Sequence, residues 1–247
     1  YPGDMTSSIS APVPLVEPAT LEELSAVHSE ILAPSFPAYE LMSLERLTSE
    51  VEHGDTSVRV IRGDDGQLAG CAIGTWYEEA RVLLLDYLAL RPGARGGGLG
   101  GTLLNASVDA WSNEYDPCIV LAEVEHPDHH DAHPQHGDPE ARLRFYAREG
   151  ARLLPLPYFT PGVGDGKPRT GGMMLAVLHA HPDLLGENDE EIASEPIATV
   201  MSLKAGDEAD YDEAQTELIA AAEAHPTLPL LRADRVGDVP IGIPDED

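Results

Sequence analysis

Five glycines fall within Gly96-Gly97-Gly98-Leu99-Gly100-Gly101, directly after Arg95. The apolar stretch Leu83 to Leu90 precedes them, and Leu99, Leu103, Leu104 and Val108 recur behind them at helical spacing. The pattern predicts a strand, a glycine-rich turn and a helix. A helix amino terminus presents unbonded N–H groups and the positive end of its dipole. Glycines let a backbone come close to a phosphate and supply positive φ where the turn needs it. Arg95 adds a charged donor. The stretch therefore reads as a pyrophosphate cradle made mostly of backbone. No Gly-Lys-Ser/Thr follows, so it is not a P-loop. The strands before it read as antiparallel, which argues against a dinucleotide fingerprint.

Two carboxylates sit in apolar strand-like runs: Asp86 in Leu83 to Leu90, and Glu123 in Leu121-Ala122-Glu123-Val124. A carboxyl group among apolar neighbours has a raised pKa, which suits it to proton shuttling; the plainer reading is a structural hydrogen-bond acceptor. Alternation puts Asp86, Leu88 and Leu90 on one face. Glu125 and His126 are further candidates, and any of these groups could work through a water. His126, His129, His130, His133 and His136 cluster with Asp128 and Asp131. The segment is rich in Pro and Asp and has no two-plus-two pattern on a helix. It is read as a loop without a metal, with a pH-sensitive lid as the milder alternative.

These groups need elements to position them. Thr20-Leu21-Glu22-Glu23 has the form of a capping box, opening a helix along Leu21, Leu24, Val27, His28 and Ile31. A second helix is expected over Tyr39 to Glu52. Strands are expected over Ser57 to Arg62, Leu68 to Trp76 and Arg81 to Leu90, the first two joined by the turn Gly63-Asp64-Asp65-Gly66. Then come a helix from Leu99 to Trp111, a strand from Cys118 to Val124, a helix from Pro139 to Glu149 and a strand from Met173 to Leu178. This order predicts a mixed α/β sheet with helices on its faces. Leu153 to Thr170 carries four prolines besides Tyr158 and Phe159, and reads as a long connection. Beyond Pro182 the composition turns acidic, and Asp207 to Ala224 reads as an alanine-rich helix. Residues 183–247 are expected to form an appendage on the core or a homodimer contact. Residues 1–12 read as a disordered tail, with Tyr1 to Asp4 as a remnant before Met5.

The formal charge is −29, from 44 acidic and 15 basic residues. Such a field disfavours nucleic acid and anionic membranes and concentrates cations such as amines, although solubility alone would also account for it. No apolar run reaches the span of a bilayer, and no secretory signal is evident. The two cysteines, Cys71 and Cys118, have no metal-ligand spacing, and a reduced, cytoplasmic setting is expected.

Arg95-Gly96-Gly97-Gly98-Leu99-Gly100 fits Gln/Arg-x-x-Gly-x-Gly/Ala at every fixed position. Ala141 to Gly150, Ala-Arg-Leu-Arg-Phe-Tyr-Ala-Arg-Glu-Gly, fits a helix ending in Phe-Tyr-x-x-x-Gly-Phe, except that Ala151 replaces the final aromatic. On these motifs the chain resembles the GNAT superfamily of N-acetyltransferases from Val13 to Leu178, with a GNAT domain over 13–182. The resemblance implies a mixed sheet splayed between its fourth and fifth strands and acetyl-CoA as co-substrate. The pantetheine arm would lie along Leu88, Ala89 and Leu90. The pyrophosphate would sit on Arg95, Gly96, Gly97, Gly98, Leu99 and Gly100, with Gly101 and Thr102 close by. Tyr146 matches the tyrosine that protonates the departing thiolate. Glu123 lies where some members carry a catalytic base, ahead of Asp86, which lies where others do. Tyr158 and Phe159 would help line the acceptor pocket. The implied activity is acetyl transfer to a primary amine of a small molecule, by direct attack. Protein lysine acetylation and a non-catalytic CoA-binding module are the alternatives.

Overall fold

A computed structural model of the chain describes residues 15–94, 96–132, 137–161, 169–206 and 211–243. The elements in chain order are β1 (Val16–Pro18), a composite first helix α1 spanning 21–32, α2 (Leu44–His53), β2 (Thr56–Arg62), β3 (Leu68–Tyr77) and β4 (Val82–Leu90). Next come α3 (Leu99–Glu114), β5 (Ile119–Glu125), α4 (Pro139–Arg148), β6 (Arg152–Leu153) and β7 (Met173–Ala180). The chain closes with β8 (Glu191–Ala193), α5 (Ser194–Ala205), α6 (Glu213–Glu223) and β9 (Thr227–Pro229).

Seven strands form one mixed sheet in the order β1-β2-β3-β4-β5-β7-β6, with β8 and β9 paired separately. Only the central β4–β5 pair is parallel, and it joins just Val82–Leu85 to Ile119–Ala122. Beyond that point the two strands part. Parallel neighbours need a crossover, and α3 supplies it between β4 and β5. No helix among the described residues is long and apolar enough to cross a membrane.

Local chemistry sets the helix ends. Ser43 accepts a hydrogen bond from the Arg46 N–H and starts α2 five residues later than the apolar spacing from Tyr39 suggests. The preceding residues are held as a loop: the Tyr87 hydroxyl donates to the Glu40 carbonyl and accepts from the Met42 N–H. At the start of α1, the Thr20 N–H donates to Glu23 at 2.8 Å. Asp138 caps α4, with Pro139 in its first turn, where no N–H is required.

Alternation along the strands divides the core between the two sheet faces. Leu83, Leu85, Val120 and Ala122 pack with Leu103, Trp111 and Leu143 under α3 and α4. The opposite face carries two groups. Val58, Val60, Cys71 and Ile73 pack under α1 and α2. Val82, Leu84, Ile119 and Leu121 pack with Ile192, Ile197, Met201 and Leu218 of the acidic C-terminal stretch. The residues after 183 therefore cover the sheet beside α1–α2, and Leu231 pairs with Leu153 beyond it. Ile197 is fully buried. We expect Ile197→Ala to destabilise the whole domain by about 2–5 kcal/mol in urea unfolding; an unchanged midpoint would show that α5 contributes nothing to the sheet's stability.

Candidate active site

The turn after β4 is built as a cradle. Gly96, Gly97 and Gly98 have φ of +123°, +63° and +77°, a region that other residues adopt only at a cost. Among the described residues, a Cβ at any of the three would meet nothing within 4 Å, so their surface is open. Gly98 is the N-cap of α3 and has no side chain to bond the first turn. Its carbonyl accepts from the Thr102 N–H at 3.0 Å. The N–H groups of Gly97, Gly98, Gly100 and Gly101 make no hydrogen bond among the described residues. Unbonded donors at the start of a helix, on glycines with open space before them, suit a pyrophosphate. Gly100 and Gly101 have a different neighbourhood: a Cβ there would meet the Phe145 ring at 3.7 Å and the Glu149 carboxylate at 2.7 Å respectively. They allow α4 to lie close to α3. Arg95 lies outside the described residues.

Beyond Leu85 the β5 side of β4 has no partner strand among the described residues. Leu90 lies opposite Gly70, and the Arg91 N–H donates to the Ala69 carbonyl at 2.8 Å. In an antiparallel ladder this makes Leu90–Gly70 a non-hydrogen-bonded pair, and so too Leu88–Ala72. The peptide groups of Leu88 and Leu90 thus point to the open edge. Those of Ala89 are directed at Cys71 on β3, so Ala89 does not offer the edge contact expected of it from the sequence.

Asp86 departs from the simple alternation. Leu85 pairs with Gly74 and Tyr87 with Ile73, so Asp86 is the extra residue of a bulge. Leu88 and Leu90 pack towards α3 and α4, whereas Tyr87 belongs to the α1–α2 side. Asp86 is on that second side, with Val82 and Leu84, and not on the Leu88–Leu90 face. It accepts a hydrogen bond of 2.7 Å from Thr75. Burial pushes its pKa up to about 7; the Thr75 hydroxyl and the Lys204 ammonium oppose this, and Glu123 and Glu50 add to it.

Glu123 lies on the same face, in step with Ile119 and Leu121. One of its oxygens accepts from Lys204 Nζ at 2.9 Å and also from the Tyr158 hydroxyl. Lys204 lies at the end of α5, and both side chains of the ion pair are largely buried. Burial disfavours its charge, but Glu123, Tyr77 and Asp86 outweigh that and hold its pKa above the ordinary lysine value. Tyr158 and Phe159 are both buried, against α5 and β7. Glu125 is engaged elsewhere, by Arg142 at 2.5 Å.

Tyr146 lies on α4, buried in the core on the other side of the sheet, with its ring beside that of Phe145. Its hydroxyl makes no hydrogen bond among the described residues. Burial raises its pKa to about 12, so it carries its proton at neutral pH. His126 is buried; Nδ1 accepts from the Asp128 N–H, and Nε2 has no partner among the described residues. His130 bonds the Gly171 carbonyl. No group of three His, Cys, Asp or Glu among the described residues could hold a metal ion; His133 and His136 lie outside them.

Residues 26–136 match the model of the acetyltransferase (GNAT) family, a span that includes the cradle, Asp86 and Glu123. The chain carries a GNAT acetyltransferase domain. It is accordingly an acyltransferase by family. The fold is shared with a protein assigned to the GNAT acetyltransferases from Bacteroides thetaiotaomicron: 20% identity over 78% of this chain and 99% of that one, with a TM-score of 0.55. Looser likenesses include a phosphinothricin acetyltransferase from Sinorhizobium meliloti in complex with AcCoA (16% identity, 69% and 90% coverage of this chain and that one, TM-score 0.49). Another is the ribosomal-protein-S18-alanine N-acetyltransferase from Escherichia coli (18% identity, 71% and 97% coverage, TM-score 0.47). No curated protein matches the sequence. Sequence reasoning missed Lys204, which the GNAT match does not reach. The available signal was its rarity, since only Lys167 and Lys204 among the 15 basic residues are lysines.

Proposed function

We propose that this protein transfers an acetyl group from acetyl-CoA to the primary amine of a small molecule, by direct attack and with no acyl-enzyme. One observation carries the reading: the unpaired edge of β4 runs from a partly buried carboxyl group, Asp86, to a glycine cradle with unused N–H donors. The cradle and the Leu88 and Leu90 peptide groups would hold the donor. Acetyl-CoA, when bound, supplies a thioester carbonyl open to attack by an amine.

Asp86 takes the role of base. A group with a pKa near 7 is partly ionised at neutral pH and can both accept and release a proton. Glu123 is the weaker choice, because the oxygen it presents already accepts from an ammonium and a phenol. The Leu88 N–H, at the open edge, would donate to the carbonyl oxygen as charge builds there. Tyr146 would return a proton to the leaving sulfur from the opposite side of the sheet. Base and acid then lie on either side of the gap between β4 and β5, which keeps the incoming amine and the departing thiolate apart. The excess of acidic residues favours a cationic acceptor over an anionic one.

Thiol release over a panel of amines, with CoA titration alongside, tests the reading. Turnover with at least one small amine is the expected result; CoA binding without turnover across a broad panel would replace it with a non-catalytic module. Tyr146→Phe should lower kcat by about 10²-fold or more and leave CoA affinity within about threefold. An unchanged kcat would remove Tyr146 as the acid.

A further inference from the structure

Lys204 comes from outside the GNAT-matched residues, yet its Nζ stands 2.9 Å from a carboxylate at the mouth of the splay. We propose that Lys204 is a positioning residue of the active site: it holds Glu123 as its counter-ion, so that Asp86 alone is left to take the acceptor's proton. The C-terminal helix pair thereby completes the catalytic face. This rests on the assignment of Asp86 as base.

Three observations support it. Asp86 and Glu123 face the same side of the sheet, each one residue beyond the last paired residues of β4 and β5, Leu85 and Ala122. The Glu123 carboxylate so placed opposes ionisation of Asp86, and the Lys204 ammonium bonded to Glu123 favours it. Lys204 is also fixed by its surroundings. Met201, one turn earlier on α5, packs in the same core group as Leu121, and the Tyr158 hydroxyl bonds the same Glu123 oxygen as the ammonium. Finally, a compact lysine ammonium, and not a guanidinium, is used in a chain whose other cations are nearly all arginine. The charged and titratable groups acting on Asp86 are Glu50 from α2, Tyr77 from β3, neighbouring Tyr87 on β4, Glu123 from β5, Tyr158 and Lys204.

The sign of the effect can be measured without substrate. Lys204 lowers the Asp86 pKa and Glu123 raises it. In a carbon-detected NMR titration of the Asp86 carboxyl in the full chain, Lys204→Met should move the midpoint upward by about one pH unit or more. Glu123→Gln should move it downward, and the double variant should return it close to the wild-type value. A midpoint unmoved in folded Lys204→Met would overturn the proposal. If that variant does not fold, Glu123→Gln decides: an upward or absent shift overturns the proposal equally. The acid limb of kcat/KM for an amine identified by the panel should follow the same order. Full activity of Asp86→Asn would instead bring down the assignment of the base. An inactive Asp86→Asn alongside unshifted Lys204 and Glu123 variants would bring down only the role of Lys204.

Discussion

Asp86→Asn is expected to lose about 10²- to 10⁴-fold in kcat/KM while CoA still binds, and to become more stable above neutral pH. The activity loss follows from removing the base. The stability gain follows from the direction of the pKa shift. Asp86 is raised from 3.8 to about 7 by burial in the folded chain. The folded protein therefore holds this proton more tightly than the unfolded chain does. Its contribution to stability is present at acid pH and is lost as pH rises through 7. Between pH 5 and pH 8 this group alone should cost the wild type on the order of 2–3 kcal/mol. Asparagine keeps an oxygen to accept from Thr75 and has no charge to bury. Urea unfolding at the two pH values reads the difference: the fall between them should shrink in Asp86→Asn. An equal fall in both proteins would mean that Asp86 does not titrate as its burial requires. A gain in stability at the expense of rate is what a group kept for chemistry produces.

Gly98→Val should weaken CoA binding by about 100-fold or more, with the fold retained. At φ +77° a side chain costs about 1–2 kcal/mol, and a branched one is worse. Nothing among the described residues lies within 4 Å of the new Cβ, so the neighbouring core is undisturbed. The loss falls on the cradle, whose backbone must shift and whose open surface the isopropyl group fills. Gly100→Ala provides the contrast. Its Cβ would make an ordinary 3.7 Å contact with Phe145, and alanine is favoured over glycine in a helix by up to about 1 kcal/mol. Its melting temperature should equal or exceed that of the wild type. Calorimetric titration with CoA, alongside thermal melting, separates the two. Wild-type affinity in Gly98→Val would show that the turn does not carry the phosphates.

Much of the sheet and all of the glycine turn were legible in the sequence, because they rest on local rules: alternating apolar residues, glycine at positive φ, a strand running into a helix. Asp86 was found, but its face was not. The bulge beside Gly74 depends on how β3 and β4 align, which alternation along one strand does not contain. Helix α5 was not anticipated either. An acidic run leads into it and Pro196 lies within its first turn, where a missing N–H costs nothing but the sequence looks broken. With α5 unseen, Lys204 has no location, and nothing along the sequence shows that Glu123 takes a cation as its partner. The preference for Glu123 over Asp86 rests on the GNAT resemblance, in which some members carry a catalytic carboxylate at that place on the fifth strand. Which partner a buried charge takes is set by tertiary contacts between distant segments.

The Glu123–Lys204 pair also spans a long interval of synthesis. Lys204 follows Glu123 by 81 residues, and every strand of the main sheet lies before it in the chain. On the ribosome, the sheet and the cradle can pair while α5 is still in the exit tunnel. At that stage Glu123 lacks its cation, the apolar face of β4, β5 and β7 is uncovered, and Asp86 is still wet. The helices made after the sheet are thus the ones that bring Glu123 its cation and cover the Asp86 side, so the site is finished later than the sheet that carries it.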